Sequence, residues 1–232
     1  MDIIGAIASL GAEGGTVIIP PGEFKLPYLK VGRNITLQGA GMDATRIIFT
    51  AQSPDQGVYL NLTGAWYSAI RDLRVMVASD IVSTAAGLVY IRDAWNLELN
   101  RMIIDGNHKS VIGLYIDGET QTPVRKLRCR SLKITHCYGY SSIYARGEGT
   151  LNDFEDVSTL DGVDGIVIEG PQQYMNTFRS CEIENNSGYG VNFLNNTTKN
   201  KFLHCYFERN AEGHVYGSHW GDGNTFRDCI LI

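Results

Sequence analysis

Apolar and polar positions repeat with a period of 24 residues in the last third of the chain. Each repeat reads Asn-x-Phe-x-x-(Cys or Val), and short alternating runs of this kind are typical of strands that bury one face. The copies begin at Asn152, Asn176, Asn200 and Asn224, and looser copies begin at Ile70, Leu99 and Cys129. The pattern therefore predicts a strand-based repeat along most of the chain.

A second apolar run follows each copy and is usually opened by glycine, which predicts a second strand in every repeat. The chain has 26 Gly and only 6 Pro, as expected when tight turns separate many short strands. The runs are Gly87–Ile91, Gly113–Ile116, Ser142–Ala145, Gly165–Ile168, Gly190–Phe193 and Gly213–Tyr216.

A period of 24 residues indicates a solenoid or a propeller. Helical repeats are excluded after residue 15, because apolar spacings of three and four are absent there. A leucine-rich consensus is also absent, and a propeller blade needs roughly 40 residues. The sequence thus predicts an all-β parallel β-helix, a solenoid of about 7–8 coils with ~24 residues each.

Successive coils of such a solenoid stack at ~4.8 Å, so equivalent side chains form columns. The predicted columns are Phe154, Phe178, Phe202 and Phe226; Val157, Cys181, Cys205 and Cys229; and Asn152, Asn176, Asn200 and Asn224. The five cysteines are an odd number and three share one inward column, which favours buried thiols, although stacked positions lie within disulfide range.

The two ends of the chain differ. Ile3, Ile7 and Leu10 form one apolar face and predict a short helix over residues 1–12 that caps the first coil. Residues 13–232 form the coils of one domain. The chain stops in mid-coil on apolar residues, so we expect this end to pack on a partner, as in a homo-oligomer, or to continue in a longer chain.

The first 50 residues carry two further motifs. They are Gly14-Gly-Thr-Val-Ile-Ile-Pro-Pro-Gly22-Glu-Phe24 and Ile35-Thr-Leu-Gln-Gly-Ala-Gly41. Together with the coil pattern, they resemble the pectate-lyase-like superfamily of right-handed parallel β-helices. The resemblance implies a right-handed fold. That superfamily includes pectate and pectin lyases, polygalacturonase-type hydrolases, alginate epimerases, phage tail spikes and non-catalytic adhesins.

The catalytic motifs of those enzymes are missing. Gly213-His214-Val215 is the nearest match to a polygalacturonase-type Gly-His-Gly, and the Trp-x-Asp-His and Arg-x-Pro-x-x-Arg segments of pectate lyases are absent. No catalytic residue is therefore transferred by position. The resemblance, rather than any targeting segment, implies an extracellular or virion-associated protein.

The net charge and the hydropathy of the chain exclude two classes of partner. The chain has 20 Lys and Arg against 25 Asp and Glu, a formal net charge of −5, which argues against a nucleic-acid binder. A run of 18 apolar residues is absent, so no membrane span is expected, and the first residues lack a secretory signal pattern.

The candidate site lies on the outer face of the second strand of each coil, where the superfamily's enzymes act. Strict alternation predicts that an aromatic and polar stripe points outward there. Its candidate glycan-binding residues are Tyr115, Tyr144, Asn192 and Tyr216, and its charged members, the catalytic candidates, are Asp117, Arg146 and Glu169. The register of Gly87–Ile91 is left open.

Two functions fit this stripe. The first is a non-catalytic, carbohydrate-binding module of the spike or adhesin type, which the missing enzyme motifs favour. The alternative is a polysaccharide hydrolase or lyase in which Asp117 and Glu169, ~9–10 Å apart by coil spacing, act as acid and base while Arg146 neutralises substrate charge. A purely structural explanation is that Arg146 bridges the two acids.

Metal sites are weaker candidates, and no cofactor is expected. Clustered carboxylates suit Ca²⁺, and Asp153, Asp156, Asp161 and Asp164 are the candidate ligands, although solvated turn acids are the favoured explanation because no 12-residue Ca²⁺ loop surrounds them. A zinc site is a further possibility at His204, His214 and His219.

Overall fold

Each coil is built from short strands that pair in parallel with the strands one coil away. The computed structural model describes residues 2–54, 57–80, 86–119, 121–170, 173–218 and 221–232. Its second sheet has eight strands, so the chain forms about eight coils. The predicted all-β, right-handed parallel β-helix is confirmed.

The first sheet has 14 strands and carries the Asn-x-Phe pattern. Its strands are Gly15–Ile18, Gly22–Leu26, Ile35–Gln38, Thr45–Phe49, Ala69–Val77, Glu98–Lys109, Arg128–Cys137, Asp153–Leu160, Thr177–Arg179, Glu182–Glu184, Lys201–Leu203, Tyr206–Glu208, Thr225–Arg227 and Ile230–Leu231.

The second sheet carries the runs that glycine usually opens. Its strands are Leu29–Lys30, Val58–Asn61, Gly87–Ile91, Ile112–Gly118, Ser141–Gly147, Asp164–Glu169, Tyr189–Leu194 and Gly213–Gly217. A third sheet, which the sequence did not indicate, is made of two-residue strands: Ala94–Trp95, Val124–Arg125, Gly149–Thr150 and Gln173–Tyr174.

The phenylalanine column forms as predicted. Phe154, Phe178, Phe202 and Phe226 pair in register, and consecutive rings lie 4.4, 4.6 and 4.7 Å apart with interplanar angles below 10°. The rings pack within one continuous core that runs through the solenoid. Toward the N-terminal coils, the column continues with Cys129 and then with Leu99.

A bend explains why Phe178 and Cys181 both face the core although they are three positions apart. Strict alternation would place them on opposite faces of a strand. Ser180 between them has a left-handed backbone with φ 51°, and Asp156, His204 and Asp228 have φ 55–56° at the equivalent positions. The extra residue turns the chain, so the first sheet folds around one corner of the core.

The asparagine column also forms. Asn176 Nδ2 donates to Asn200 Oδ1 at 3.0 Å, and Asn200 Nδ2 donates to Asn224 Oδ1 at 3.2 Å. Asn200 is fully buried. A second column, which the sequence analysis missed, joins Asn186 to Asn210 at 2.8 Å.

The N-terminal helix runs from Ile3 to Ser9. Asp2 caps it by accepting a hydrogen bond from the Gly5 N–H at 3.0 Å. Ile3 is buried, and Ile7 and Leu10 pack against the core, as predicted for a cap.

All five cysteines are free thiols, so the predicted thiol state is confirmed. In the last coil, Ile230, Leu231 and Ile232 are more than half exposed. No helix in the described part of the chain is long and apolar enough to cross a membrane.

Candidate functional site

The second sheet brings the predicted stripe together in two adjacent rows. One row runs across the coils through Tyr115, Tyr144, Val167, Asn192 and Tyr216, and the other places Asp117, Arg146 and Glu169 in register. These positions face away from the main core. All seven candidates therefore lie on the outer face that alternation predicts, and their roles stay predictions.

Two tyrosines that the sequence analysis missed complete the aromatic part of the site. Tyr90 pairs in register with Tyr115, which resolves the open register of its strand, and the two rings meet edge to face at 5.3 Å. Tyr115 stacks on Tyr144 at 5.2 Å, and Tyr140 contacts the edge of Tyr144 at 5.2 Å. We call Tyr90, Tyr115 and Tyr144 the tyrosine row.

Much of this outer face is covered rather than open. Tyr90, Tyr115, Asp117 and Asn192 are each at most 8% exposed. The tyrosines pack with Val58 and Ile112 in a second hydrophobic cluster outside the core. The accessible members are a smaller set: Tyr140, half-exposed Arg146, the partly buried pair Tyr144 and Glu169, and Tyr216 at 41%.

Asp117 is the buried member of the charged row, and it holds Arg146 in place. Its carboxylate accepts hydrogen bonds from Arg146 Nε at 2.8 Å and from the Tyr90 hydroxyl at 2.7 Å. Burial by itself raises the pKa of Asp117, but the hydrogen bonds from Arg146 and Tyr90 outweigh it and hold the pKa below its ordinary value. Burial and the Asp117 carboxylate raise the pKa of Tyr90 to about 12. Asp117 is thus a fixed, ionised acceptor.

Glu169 has different partners. It accepts hydrogen bonds from the Tyr144 hydroxyl and from Asn195 Nδ2, the latter at 2.9 Å. Arg146 pairs with Asp117 and not with Glu169, so the expectation that it bridges both acids is wrong. The Arg146 guanidinium instead lies over the Tyr115 ring at 5.3 Å, which orients it by a cation–π contact.

Asn192 and Tyr216 lie one and two coils beyond Glu169. Asn192 Nδ2 donates to Asp164 Oδ2 at 3.0 Å, so this amide is engaged within the protein. Tyr216 stacks on Tyr189 at 4.6 Å and keeps an exposed face. Of the two residues, only Tyr216 therefore presents an open surface.

The metal hypotheses gain no support. Asp153 pairs with Arg179, Asp156 accepts from Ser131, and Asp164 binds Asn192. No group of three metal-ligating side chains occurs within the described ranges, so the four aspartates do not assemble a Ca²⁺ site there. His219 lies outside the described residues.

Comparisons with known proteins agree with the fold. A family model described as "Right handed beta helix region" matches residues 57–231. A search of curated protein sequences found no significant match.

Three solved structures illustrate the likeness. The tailspike gp49 of Acinetobacter baumannii bacteriophage Fri1, described as a capsular polysaccharide depolymerase, is 15% identical with a TM-score of 0.73, and the match covers 97% of this chain and 45% of that one. ORF18 of Geobacillus virus E2 is 21% identical with a TM-score of 0.59, covering 98% and 44%. The Agl-KA catalytic domain is 14% identical with a TM-score of 0.50, covering 97% and 53%. The chain spans about half the length of these structures, and at such identities the likeness shows the fold alone.

Proposed function

Because the chain belongs to the right-handed β-helix family, we propose that it is a polysaccharide-binding module of the spike or adhesin type. In this proposal the glycan lies across the accessible part of the second sheet, over Tyr140, Tyr144, Arg146 and Glu169. The module acts outside the cell, on a virion or cell surface, in keeping with the viral origin of two of the structures it resembles.

The observation that carries the proposal is an exposed aromatic ring, Tyr140, and an oriented cation, Arg146, that both neighbour Tyr144. Tyr140 is 45% exposed and its edge contact with Tyr144 fixes its ring, which provides a flat apolar surface for the C–H face of a sugar. Arg146 is 46% exposed and is held by Asp117, so its free N–H groups are directed outward for hydroxyl or acid groups. Glu169 and Asn195 add an acceptor and a donor.

The buried residues beneath have a positioning role. Tyr90, Tyr115 and Asp117 are too covered to stack on a sugar, but they fix Arg146 and Tyr144 before a ligand arrives. Such preorganisation reduces the entropy lost on binding. The buried part of the stripe therefore supports binding indirectly.

The ionised state of Asp117 argues against its use as the general acid of a cleavage reaction. A general acid works best with a pKa near the working pH, whereas the pKa of Asp117 is lowered below its ordinary carboxyl value. Burial and Glu169 raise the pKa of Tyr144, which opposes a role as general base. The alternative, a polysaccharide hydrolase or lyase using Asp117 and Glu169, is favoured by one observation: both acids lie in one row with Arg146 between them.

The test measures binding and cleavage in parallel on a panel of neutral and uronic-acid-containing hexasaccharides. Tyr140→Ala should weaken binding about tenfold, as expected for loss of an exposed aromatic anchor. Tyr138→Ala is the matched control, since Tyr138 is 43% exposed and contacts His108 instead of the tyrosine row. Equal effects of the two variants, or no binding by the wild type, contradict the proposal.

The enzyme alternative makes a separate prediction. New reducing ends or unsaturated products that appear with wild type and disappear with Glu169→Gln would establish cleavage. Binding without product in the wild type would eliminate the alternative.

Self-association remains a prediction. Ile230, Leu231 and Ile232 expose more than half of their surface, which suits a contact between copies. Light scattering coupled to size exclusion measures the mass, and a monomer at micromolar concentration would contradict the prediction.

A further inference from the structure

A second aromatic surface lies on the third sheet, around the corner from the proposed site. Trp66 and Trp95 are 37% and 43% exposed, and Tyr67 is 58% exposed. The Tyr67 N–H donates to the Trp95 carbonyl, and the Asn96 N–H donates to the Arg125 carbonyl. This repeated pattern places Trp66, Trp95 and Arg125 at equivalent positions of three successive coils.

These residues enclose a concave surface. Trp66, Trp95 and Pro123 form its apolar walls, and Asp93, Gln121 and Arg125 contribute its polar groups, around a volume of about 200 Å³. We call it the tryptophan pocket. Pockets for drug-sized ligands measure roughly 300–1,000 Å³, so this smaller pocket suits a single small ring.

The pocket is built before any ligand binds. Trp66 Nε1 donates to the Asp93 carbonyl at 2.7 Å, which fixes the indole plane. The Lys126 ammonium lies 5.7 Å from the centre of the Trp95 ring, and Arg125 pairs with Glu148. Two indole rings are thus held in place, with aromatic surface left open to solvent.

Apolar walls and mixed polar groups define the ligand chemistry. A pyranose has C–H faces that stack on indole rings and hydroxyls that both donate and accept hydrogen bonds. The Asp93 carboxylate accepts, Arg125 donates, and the Gln121 amide does both. The charges around the pocket balance, because Arg125 is paired with Glu148 and the charge of Lys126 offsets that of Asp93. With no net positive charge to select an acidic sugar, the pocket favours a neutral one.

We propose that the tryptophan pocket is a second glycan subsite, which binds one neutral hexose unit. The inference rests on the proposed function, and it adds a place and a sugar class that the tyrosine row does not provide. The two sites adjoin: Arg92, next to Asp93, acts electrostatically on Asp117 and donates to the Thr122 hydroxyl at 3.3 Å. A single polysaccharide chain that crosses this corner contacts both.

The experiment follows tryptophan fluorescence and calorimetric binding during titration with neutral hexasaccharides. Trp95→Ala should weaken binding about tenfold or more and remove most of the fluorescence change, as expected for loss of an exposed aromatic anchor that the ligand covers. Leu151→Ala is the matched control, because Leu151 is 51% exposed near the same sheet but outside the pocket. Its binding should equal that of the wild type.

Other outcomes separate the two proposals. Unchanged binding by Trp95→Ala, with weakened binding by Tyr140→Ala, overturns the second subsite and leaves the proposed function standing. No binding by the wild type to any neutral or acidic hexasaccharide overturns both. Sedimentation that shows a wild-type oligomer dissociated by both Trp95→Ala and Leu151→Ala would make this surface an interface between copies, and would also overturn the subsite.

Discussion

Replacing Arg146 by methionine tests how the candidate site is held together. Methionine keeps an apolar stem of similar length against Tyr115, but it removes the guanidinium that lies 2.8 Å from the Asp117 carboxylate. Asp117, whose side chain is 6% exposed, then retains the Tyr90 hydroxyl as its donor. We expect the folded state to lose stability because a covered carboxylate becomes underpaired.

The magnitude follows from the exposure of each partner. Exposed ion pairs contribute ~0–1 kcal/mol, and breaking a fully buried pair costs ~3–5 kcal/mol. Asp117 is buried but Arg146 is 46% exposed, so solvent screens part of the interaction. We therefore expect Arg146→Met to lower the free energy of unfolding by about 2 kcal/mol.

A matched control comes from the first sheet. Arg130 Nε lies 3.3 Å from Glu155 Oε2, and both side chains are about half exposed. Arg130→Met should cost at most ~1 kcal/mol. In an Asp117→Asn background, Arg146→Met should cost far less than in the wild type, because the charge that it leaves unpaired is already gone.

The pH dependence has a defined sign. The folded-state pKa of Asp117 is below its unfolded value, so the pair contributes stability above the unfolded pKa of ~4, and this is lost as pH falls through the depressed value. The cost of Arg146→Met should be largest at pH 7 and shrink in acid. Urea denaturation followed by far-UV circular dichroism measures it. A cost no larger than that of Arg130→Met, or one equal at pH 7 and pH 3, would refute the reasoning.

Three further predictions concern the columns and the thiols. Phe178→Ala should lower the free energy of unfolding by ~3–5 kcal/mol. Phe226 is less buried and has one neighbour in the column, so Phe226→Ala should lower it by about half as much. Equal losses in urea denaturation would contradict the stacked column. Asn200→Ala removes the acceptor of the buried Asn176 N–H and Nδ2 and the donor to the Gln173 carbonyl, so it should lower the free energy of unfolding by ~2–3 kcal/mol. Local hydrogen exchange should also become faster, and unchanged exchange would argue against the ladder. Burial raises the pKa of Cys137 to about 12, so this thiol should react slowly with maleimide. Partly exposed Cys229 should be labelled first in the native protein. Rapid labelling of Cys137, seen by mass spectrometry, would refute this expectation.

The sequence by itself determined the columns. A constant step of 24 residues places like side chains one coil apart, and backbone pairing then forces Phe178 onto Phe202 and Asn176 onto Asn200. Alternation similarly predicted the face occupied by Asp117, since a strand leaves its side chains only two directions. These features depend on local geometry repeated in register, which a single sequence contains.

Only the tertiary structure decided which side chains cover the outer face of the second sheet and which residues of different coils come into contact. Turns of unequal length interrupt the period in the middle of the chain. The register of Tyr90 and the placement of Trp66 and Trp95 around one pocket could therefore not be predicted from the sequence. The burial of Asp117 likewise depends on packing between residues from several coils. The sequence gives the direction of a side chain, but its exposure, and therefore its chemistry, is set by contacts between coils that no single repeat encodes.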